Sequence, residues 1–268
     1  MAGSDRYRIK VLEKVFRILD LFDDRGKELT AAEISARVGL NRATTFRILR
    51  QLEEAGYLDR SANSSKFRLG FRFYHLGSLV DGLTEIRTIA RPFLEELVRA
   101  SDETVHLVVL KQGQALYLDK IEGNKAVRVV SKVGMRLPAH CSGVGKVLLA
   151  SLSDTQLNKV VKKRGLPRFT ENTITDLQKL IEELERVREQ GYAIDNEEIE
   201  VVLKCVAAPV RDGDGEVIAA ISVSGPRERL QGKDLERLIA MVKQTAQRIT
   251  NALAKTYVRK RVLAKDAL

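Results

Sequence analysis

Cysteine is scarce in these 268 residues, which carry Cys141 and Cys205 alone. Two thiols cannot build a disulfide framework, and their scarcity fits a reducing, cytoplasmic setting. Apolar runs are short, and none approaches the ~18 residues that would read as a membrane span. The opening stretch, MAGSDRYRIKVLEKV, lacks the apolar segment of a secretory signal. Neither CxxC nor HxxxH occurs, so His106, His140, Cys141 and Cys205 lack zinc-site spacing, and no metal or cofactor is expected. With 44% hydrophobic and 31% charged residues the chain is too apolar for a disordered protein. Its length allows two domains, each with its own core.

Positive charge is present in excess, +10 overall, and it is unevenly placed. Residues 1–76 hold 15 Lys/Arg against 10 Asp/Glu, residues 254–268 hold 5 against 1, and residues 77–253 are nearly balanced at 26 against 25. A basic head and tail around a neutral body point to a polyanion met by part of the chain, with a merely solvated surface as the alternative.

The head has helical periodicity. Val11, Leu12, Val15, Ile18, Leu19 and Phe22 form a helix-spaced stripe. Thr30-Ala-Ala-Glu33 reads as a capping box that opens a short helix burying Ile34 and Val38, which Gly39 ends in a left-handed turn. Asn41 caps a second helix through about Ala55. Short helix, glycine turn and second helix are the helix-turn-helix pattern. On the second helix Phe46, Ile48, Leu49 and Leu52, with Thr45 beside them, are expected to face inward. Arg42, Ala43, Thr44 and Arg47 are placed nearest the bases of a major groove, with Arg50 further along on phosphate. The alternative is an amphipathic helix with a hydrated polar face. Two short strands follow, Tyr57–Arg60 and Lys66–Leu69, joined by a turn-rich loop. Such a basic hairpin after a recognition helix reads as a wing, with Arg60, Lys66 and Arg68 along the DNA backbone or reaching the minor groove.

Val15-Phe16-Arg17-Ile18-Leu19-Asp20, the run LTAAEISARVGLNRATTFRILRQLEEAGYL (29–58) and KFRLG (66–70) resemble the IclR family of bacterial regulators. The resemblance implies that the helix from Asn41 reads a double-stranded operator and that the wing grips flanking phosphates.

Residues 71–83 look like a linker helix, giving domains at 1–76 and 91–268 with a linker helix over 77–90. Pro92 interrupts the next stripe, kinking that helix or starting a new one. Strands are expected over 104–110, 114–121, 203–211 and 216–223, with Val127–Val130 as a further candidate. Helices are expected near 144–151, 154–163 and 176–190, the last two opened by Ser153-x-x-Gln156 and Thr175-x-x-Gln178. A long amphipathic helix carries Leu235 through Leu253. Antiparallel strands with helices to one side make an α+β domain.

Leu137–Lys146, Gly191–Glu198, Cys205–Pro209 and Ala220–Pro226 resemble the effector-binding domain of the same family, whose fold is GAF-like. The fold class implied is α+β: an N-terminal winged helix-turn-helix plus a C-terminal GAF-like effector-binding domain with an antiparallel sheet. The family usually has glycine three residues before the cysteine, and this chain has Val202. Ser142 reads as an N-cap before Gly143-Val144-Gly145, a helix N-terminus with free N–H groups where a carboxylate fits and where glycine would let a ligand approach. In the last strand Val217, Ala219, Ile221 and Val223 share a core face; Ala220, Ser222 and Ser224 share the other, which is either a ligand wall or a hydrated surface. Leu137, Met135 and Val144 would supply apolar lining. The resemblance adds Asp195 and Cys205 as groups near the effector.

The expectation is a non-enzymatic, cytoplasmic regulator that binds an operator and a small effector, an organic acid, with no membrane partner. Self-association as a dimer or tetramer is implied by the family and by the need for two half-sites. The alternatives are a GAF-like cysteine redox enzyme and an effector-independent DNA binder. For the first, Cys205 alone reads as a small core residue, and His140 and Cys141, as neighbours on a strand, would point apart.

Overall fold

The computed structural model describes residues 9–23, 26–61, 64–79, 83–125 and 129–265, with side chains up to 256. The chain divides into two compact units, Met1–Asp81 and Gly82–Leu268.

The first unit runs α1 (Lys10–Leu19), β1 (Leu29–Thr30), α2 (Ala31–Val38), α3 (Arg42–Glu54), β2 (Leu58–Arg60), β3 (Lys66–Leu69) and α4 (Phe71–Ser78). The Thr30 hydroxyl accepts from the Glu33 N–H at 3.2 Å while the Glu33 carboxylate accepts from the Thr30 N–H at 2.7 Å, so both free donors at the start of α2 are satisfied. Gly39 closes α2 at φ +63°, and Asn41 caps α3 by accepting from the Thr44 N–H at 2.8 Å. The three short strands are antiparallel in the order β1-β3-β2. Ile18, Ile34, Leu49, Leu58 and Phe67 fill the core, and truncating a buried phenylalanine such as Phe67 costs about 3–5 kcal/mol.

One inward assignment needs correction. Phe46 is 48% exposed; Thr45 takes the inward place, buried with its hydroxyl donating to the Asn41 carbonyl at 3.1 Å. Thr45, Ile48, Leu49 and Leu52 keep the three-and-four spacing of one helical face, and Phe46 stands about 100° off it. In α1 only the C-terminal part of the stripe is buried, with Ile18 and then Phe22, while Val11 and Leu12 are exposed.

The second unit opens with α5 (Leu83–Ser101), one helix that continues through Pro92 rather than restarting there. The segment expected as a single linker helix over 77–90 thus holds the end of α4 and the start of α5, and residues 80–82 lie outside the described ones. Then follow β4 (Thr104–Lys111), β5 (Gln114–Ile121), β6 (Arg136–Pro138), α6 (Gly143–Ala150), α7 (Asp154–Arg164), α8 (Leu177–Gln190), β7 (Ala193–Asn196), β8 (Leu203–Arg211), β9 (Val217–Pro226) and α9 (Gly232–Lys265). The expected strand at Val127–Val130 lies partly outside the described residues, and residues 129–130 are not in a strand. Ser153 and Gln156 make the expected capping box, but α8 is capped by Asp176, accepting from the Lys179 N–H at 2.9 Å, not by Thr175.

The six strands form one antiparallel sheet, β6-β5-β4-β9-β8-β7. The helices cover both of its faces, not one. α5 and α9 pack Leu94, Leu97, Val242 and Ile249 on Val105, Leu107, Val206, Ile221 and Val223. α6, α7 and α8 pack Val147, Leu148, Leu157, Leu180 and Leu184 on Val108, Ala115, Tyr117, Ala207 and Ala220. One position of β9 inverts. Val210 pairs with Ala219 but Arg211 pairs with Val217, a one-residue slip at Ile218. Because side chains alternate with period two, the slip moves Val217 to the α6 face and leaves Ile218 with the α9 core.

Candidate functional site

On the first unit the polar face of α3 is open to solvent. Arg42, Ala43 and Arg47 are exposed and Thr44 is half-buried. Arg50, also exposed, forms an ion pair with Glu54 at 2.9 Å. Lys66 and Arg68 project from β3 on either side of the buried Phe67. Arg60 is tied inward: its guanidinium meets Glu53 at 3.0 Å and lies 4.8 Å over the Phe67 ring. The eight residues thus lie on α3 and the β2–β3 hairpin, seven of them exposed.

On the second unit a cavity of about 240 Å³ opens at the first turn of α6. Met135, Leu137, Gly143, Val144, Asp195, Cys205, Ser222 and Ser224, all eight expected effector residues, line it. Strand register explains the convergence. Asp195 is directly opposite Cys205, Cys205 opposite Ser224, and Ser222 opposite His106, on the face turned to α6. Ser142 caps α6, accepting from the Gly145 N–H at 3.2 Å; the N–H groups of Gly143 and Val144, in the first turn, have no carbonyl four residues back to bond. Gly145 serves the packing of the chain itself, while Gly143 lines the cavity and has only ordinary contacts where a side chain would begin. A Cβ on Gly145 would fall 2.1 Å from the Ala139 carbonyl oxygen, and one on Gly143 would touch Ala207 and the Asp195 backbone.

Eight cavity residues were not among the expected effector residues: Tyr117, Val129, Val130, Ser131, Ser142, Ile199, Glu200 and Leu203. Tyr117 was readable from alternation, since Ala115 and Tyr117 fall on one face of β5 and Leu116 and Leu118 on the other. Ser131 and Ile199 sit in irregular chain, which no periodicity marks.

Asp195 is the unusual group. Its Oδ1 accepts from the Glu198 N–H at 2.8 Å, and among the described residues its Oδ2 has no hydrogen-bond partner. Burial pushes its carboxyl up to about 7 from the ordinary 3.8, against the backbone bond from Glu198. Beside it, Lys146 is buried in α6 and donates to Glu198 at 2.6 Å, to Glu183 at 2.9 Å and to the Ile194 carbonyl at 2.6 Å. Burial alone would lower that ammonium's pKa; the two carboxylates more than offset it, and the net shift is upward.

The thiols are unsuited to nucleophilic work. Cys141 lies in a 3₁₀ turn, Ala139–Cys141, rather than on a strand. Burial and the Asp195 charge push it up to about 12, and Cys205 is raised for the same two reasons. His140 turns to the Pro167 carbonyl at 3.1 Å.

Residues 11–62 match the IclR helix-turn-helix domain, and residues 80–251 match the domain described as bacterial transcriptional regulator IclR C-terminal. The HTH-type transcriptional regulator XynR of Escherichia coli is 36% identical over 245 residues, 91% of this chain and 97% of that one. The Thermotoga maritima IclR crystal structure aligns with a TM-score of 0.76 at 30% identity, over 92% of this chain and all of that one. An IclR homolog from Microbacterium hydrocarbonoxydans, solved as a complex with 4-hydroxybenzoate, aligns at 0.75 and 30% identity over 91% and 98%. Exposed basic helix, cavity-bearing second unit and both matching domains lead to one assignment: the chain belongs to the IclR family of bacterial transcriptional regulators, DNA-binding proteins with a C-terminal effector-binding domain and no enzymatic role.

Proposed function

We propose that this chain is a sequence-specific, cytoplasmic regulator whose operator affinity is set by a compact carboxylate-bearing metabolite held in the cavity at the start of α6. The observation that carries the reading is the donor set there: two first-turn N–H groups of α6 with the hydroxyls of Ser222, Ser224 and Tyr117 around one small space. Asp195 with a proton on its carboxyl would add a further donor, and Met135, Leu137 and Val144 would hold the apolar part. The volume lies below the roughly 300–1,000 Å³ of sites for drug-sized ligands, which favours a small acid. The 4-hydroxybenzoate complex of the Microbacterium relative supports the same chemical class. A cavity of this kind also weighs against an effector-independent binder.

Arg42, Ala43, Thr44 and Arg47 would read bases, while Arg50, Arg60, Lys66 and Arg68 would engage phosphates, Arg50 and Arg60 after leaving their own carboxylates. Two half-sites call for at least a dimer. The metabolite would shift operator affinity only by binding two arrangements of the protein unequally. The test is operator-fragment binding with and without pyruvate, 4-hydroxybenzoate and gluconate. A shift of several-fold with at least one is expected; unchanged affinity across the three and a wider acid panel would sink the ligand switch.

A further inference from the structure

Behind Ser222 and Ser224 stands His106, on β4 and 1% exposed. Its Nδ1 lies 3.3 Å from the Ser222 hydroxyl and 3.4 Å from that of Ser224. Its Nε2 lies 2.8 Å from the Ser131 hydroxyl, and its ring meets Tyr117 edge-on at 4.9 Å between centroids. All three serines and Tyr117 line the cavity. His106 does not, so it can act on a ligand only through them.

Burial, helped by the Lys120 charge, pushes the imidazole down to about 3, so it is neutral near pH 7. A neutral imidazole has one N–H and one lone pair, and which nitrogen holds the proton decides what the serines can offer. With the proton on Nε2, the ring donates to Ser131, and Ser222 or Ser224 must donate to Nδ1, leaving lone pairs toward the cavity. With the proton on Nδ1, both serines accept from the ring and their own O–H groups turn outward, that of Ser222 to a ligand and that of Ser224 to a ligand or to the Cys205 thiol it also meets.

We propose that His106 carries its proton on Nδ1 and thereby makes Ser222 and Ser224 donors to the cavity, a positioning role that favours effectors presenting oxygen acceptors over those presenting hydroxyl donors. The inference rests on the cavity being the effector site, and deepens that reading. The distances support it. Two nearly equal, long separations at Nδ1 suit one N–H shared between two acceptors, whereas a single in-plane lone pair serves one hydroxyl well. The short separation at Nε2, to one hydroxyl, suits donation by Ser131. Ser131 is itself held from the other side, where Lys120 donates to its carbonyl at 2.8 Å and to that of Val129 at 3.0 Å.

The full chain labelled with ¹⁵N-histidine tests this by long-range ¹H–¹⁵N correlation, with the His106 signals assigned by their loss in His106→Asn. A protonated Nδ1 and a bare Nε2 between pH 6 and 8 are expected. A proton on Nε2, or on both nitrogens, overturns the proposal. Binding of pyruvate and 4-hydroxybenzoate supplies the second readout, with thermal unfolding followed in each variant. His106→Asn keeps an amide donor near the Nδ1 position and should stay within about threefold of the parent, while His106→Leu should lose about tenfold or more. Equal losses in the two would mark His106 as packing alone and overturn the positioning role. If the parent chain binds neither acid nor gluconate, the carboxylate reading of the cavity fails, while the nitrogen assignment still decides the proton's place.

Discussion

The two units place their polar chemistry in opposite surroundings. Arg42, Arg47, Lys66 and Arg68 stand in water on the first, where charge is cheap to display, screened by salt and independent of its neighbours. Asp195, Lys146, Glu198 and His106 are buried in the second, where each depends on its partner and an unmatched atom is costly. One consequence is that the first unit should answer to ionic strength and the second to pH.

The largest effect is expected where the first unit would lose its reading. Arg42→Ala with Arg47→Ala should weaken operator binding by about 2–6 kcal/mol, at roughly 1–3 kcal/mol per bidentate base contact, while unfolding free energy moves by less than about 0.5 kcal/mol. Binding isotherms at several salt concentrations beside a denaturation curve separate the two quantities; a large stability loss would break the contrast. The converse applies to Lys146→Met. Removing the cation strands the buried Glu198, while Glu183 keeps Arg186 at 2.8 Å, and should cost about 3–5 kcal/mol of stability, read as a shifted urea midpoint.

Asp195→Asn sharpens the pH half. An acid with a raised folded pKa holds its proton in the folded chain where the unfolded chain has lost it. The Asp195 contribution to stability therefore falls as pH rises from about 4 to about 7 and stays low above that. Asparagine cannot ionise, so the variant should gain on the parent across that window, by about 4 kcal/mol at pH 8 and by little at pH 4. Melting temperatures at the two pH values check this, and a pH-independent gap would refute it.

The smallest effect concerns Val202. It sits at φ +65°, where a β-branched residue is strained, held by its N–H on Glu197 at 2.9 Å and by its carbonyl accepting from the Arg227 N–H at 2.7 Å. Val202→Gly should stabilise by about 1 kcal/mol, part of the strain relief being offset by glycine's entropy. The family's usual glycine thus has a backbone reason, and the valine keeps the turn by force of its neighbours. A lower melting temperature for Val202→Gly would contradict it.

Much of this was legible in the residues because local rules sufficed. The capping pairs Thr30/Glu33 and Ser153/Gln156, Gly39, and the hairpin at Gln112-Gly113, where both φ angles are positive, are short-range chemistry. Alternation placed Ser222 and Ser224 together, and the family motifs supplied Asp195 and Cys205. What escaped depends on distant partners. β7 is four residues long and gains its identity by pairing with β8. Val217 was misplaced because a one-residue slip leaves no local mark. Lys146, one cation among the apolar residues of α6, was a visible anomaly, but its carboxylates lie 37 and 52 positions away.

Gly145 has a consequence for how such a molecule can diversify. The Ala139 backbone occupies the place of its missing side chain, so the start of α6 and the 3₁₀ turn before it are main chain pressed on main chain with nothing between them to exchange. A lineage acquiring a new signal must leave that contact alone and remodel the cavity lining, where Val130, Met135, Ile199 and Leu203 offer side chains of adjustable bulk. Taste can drift; the anchor stays.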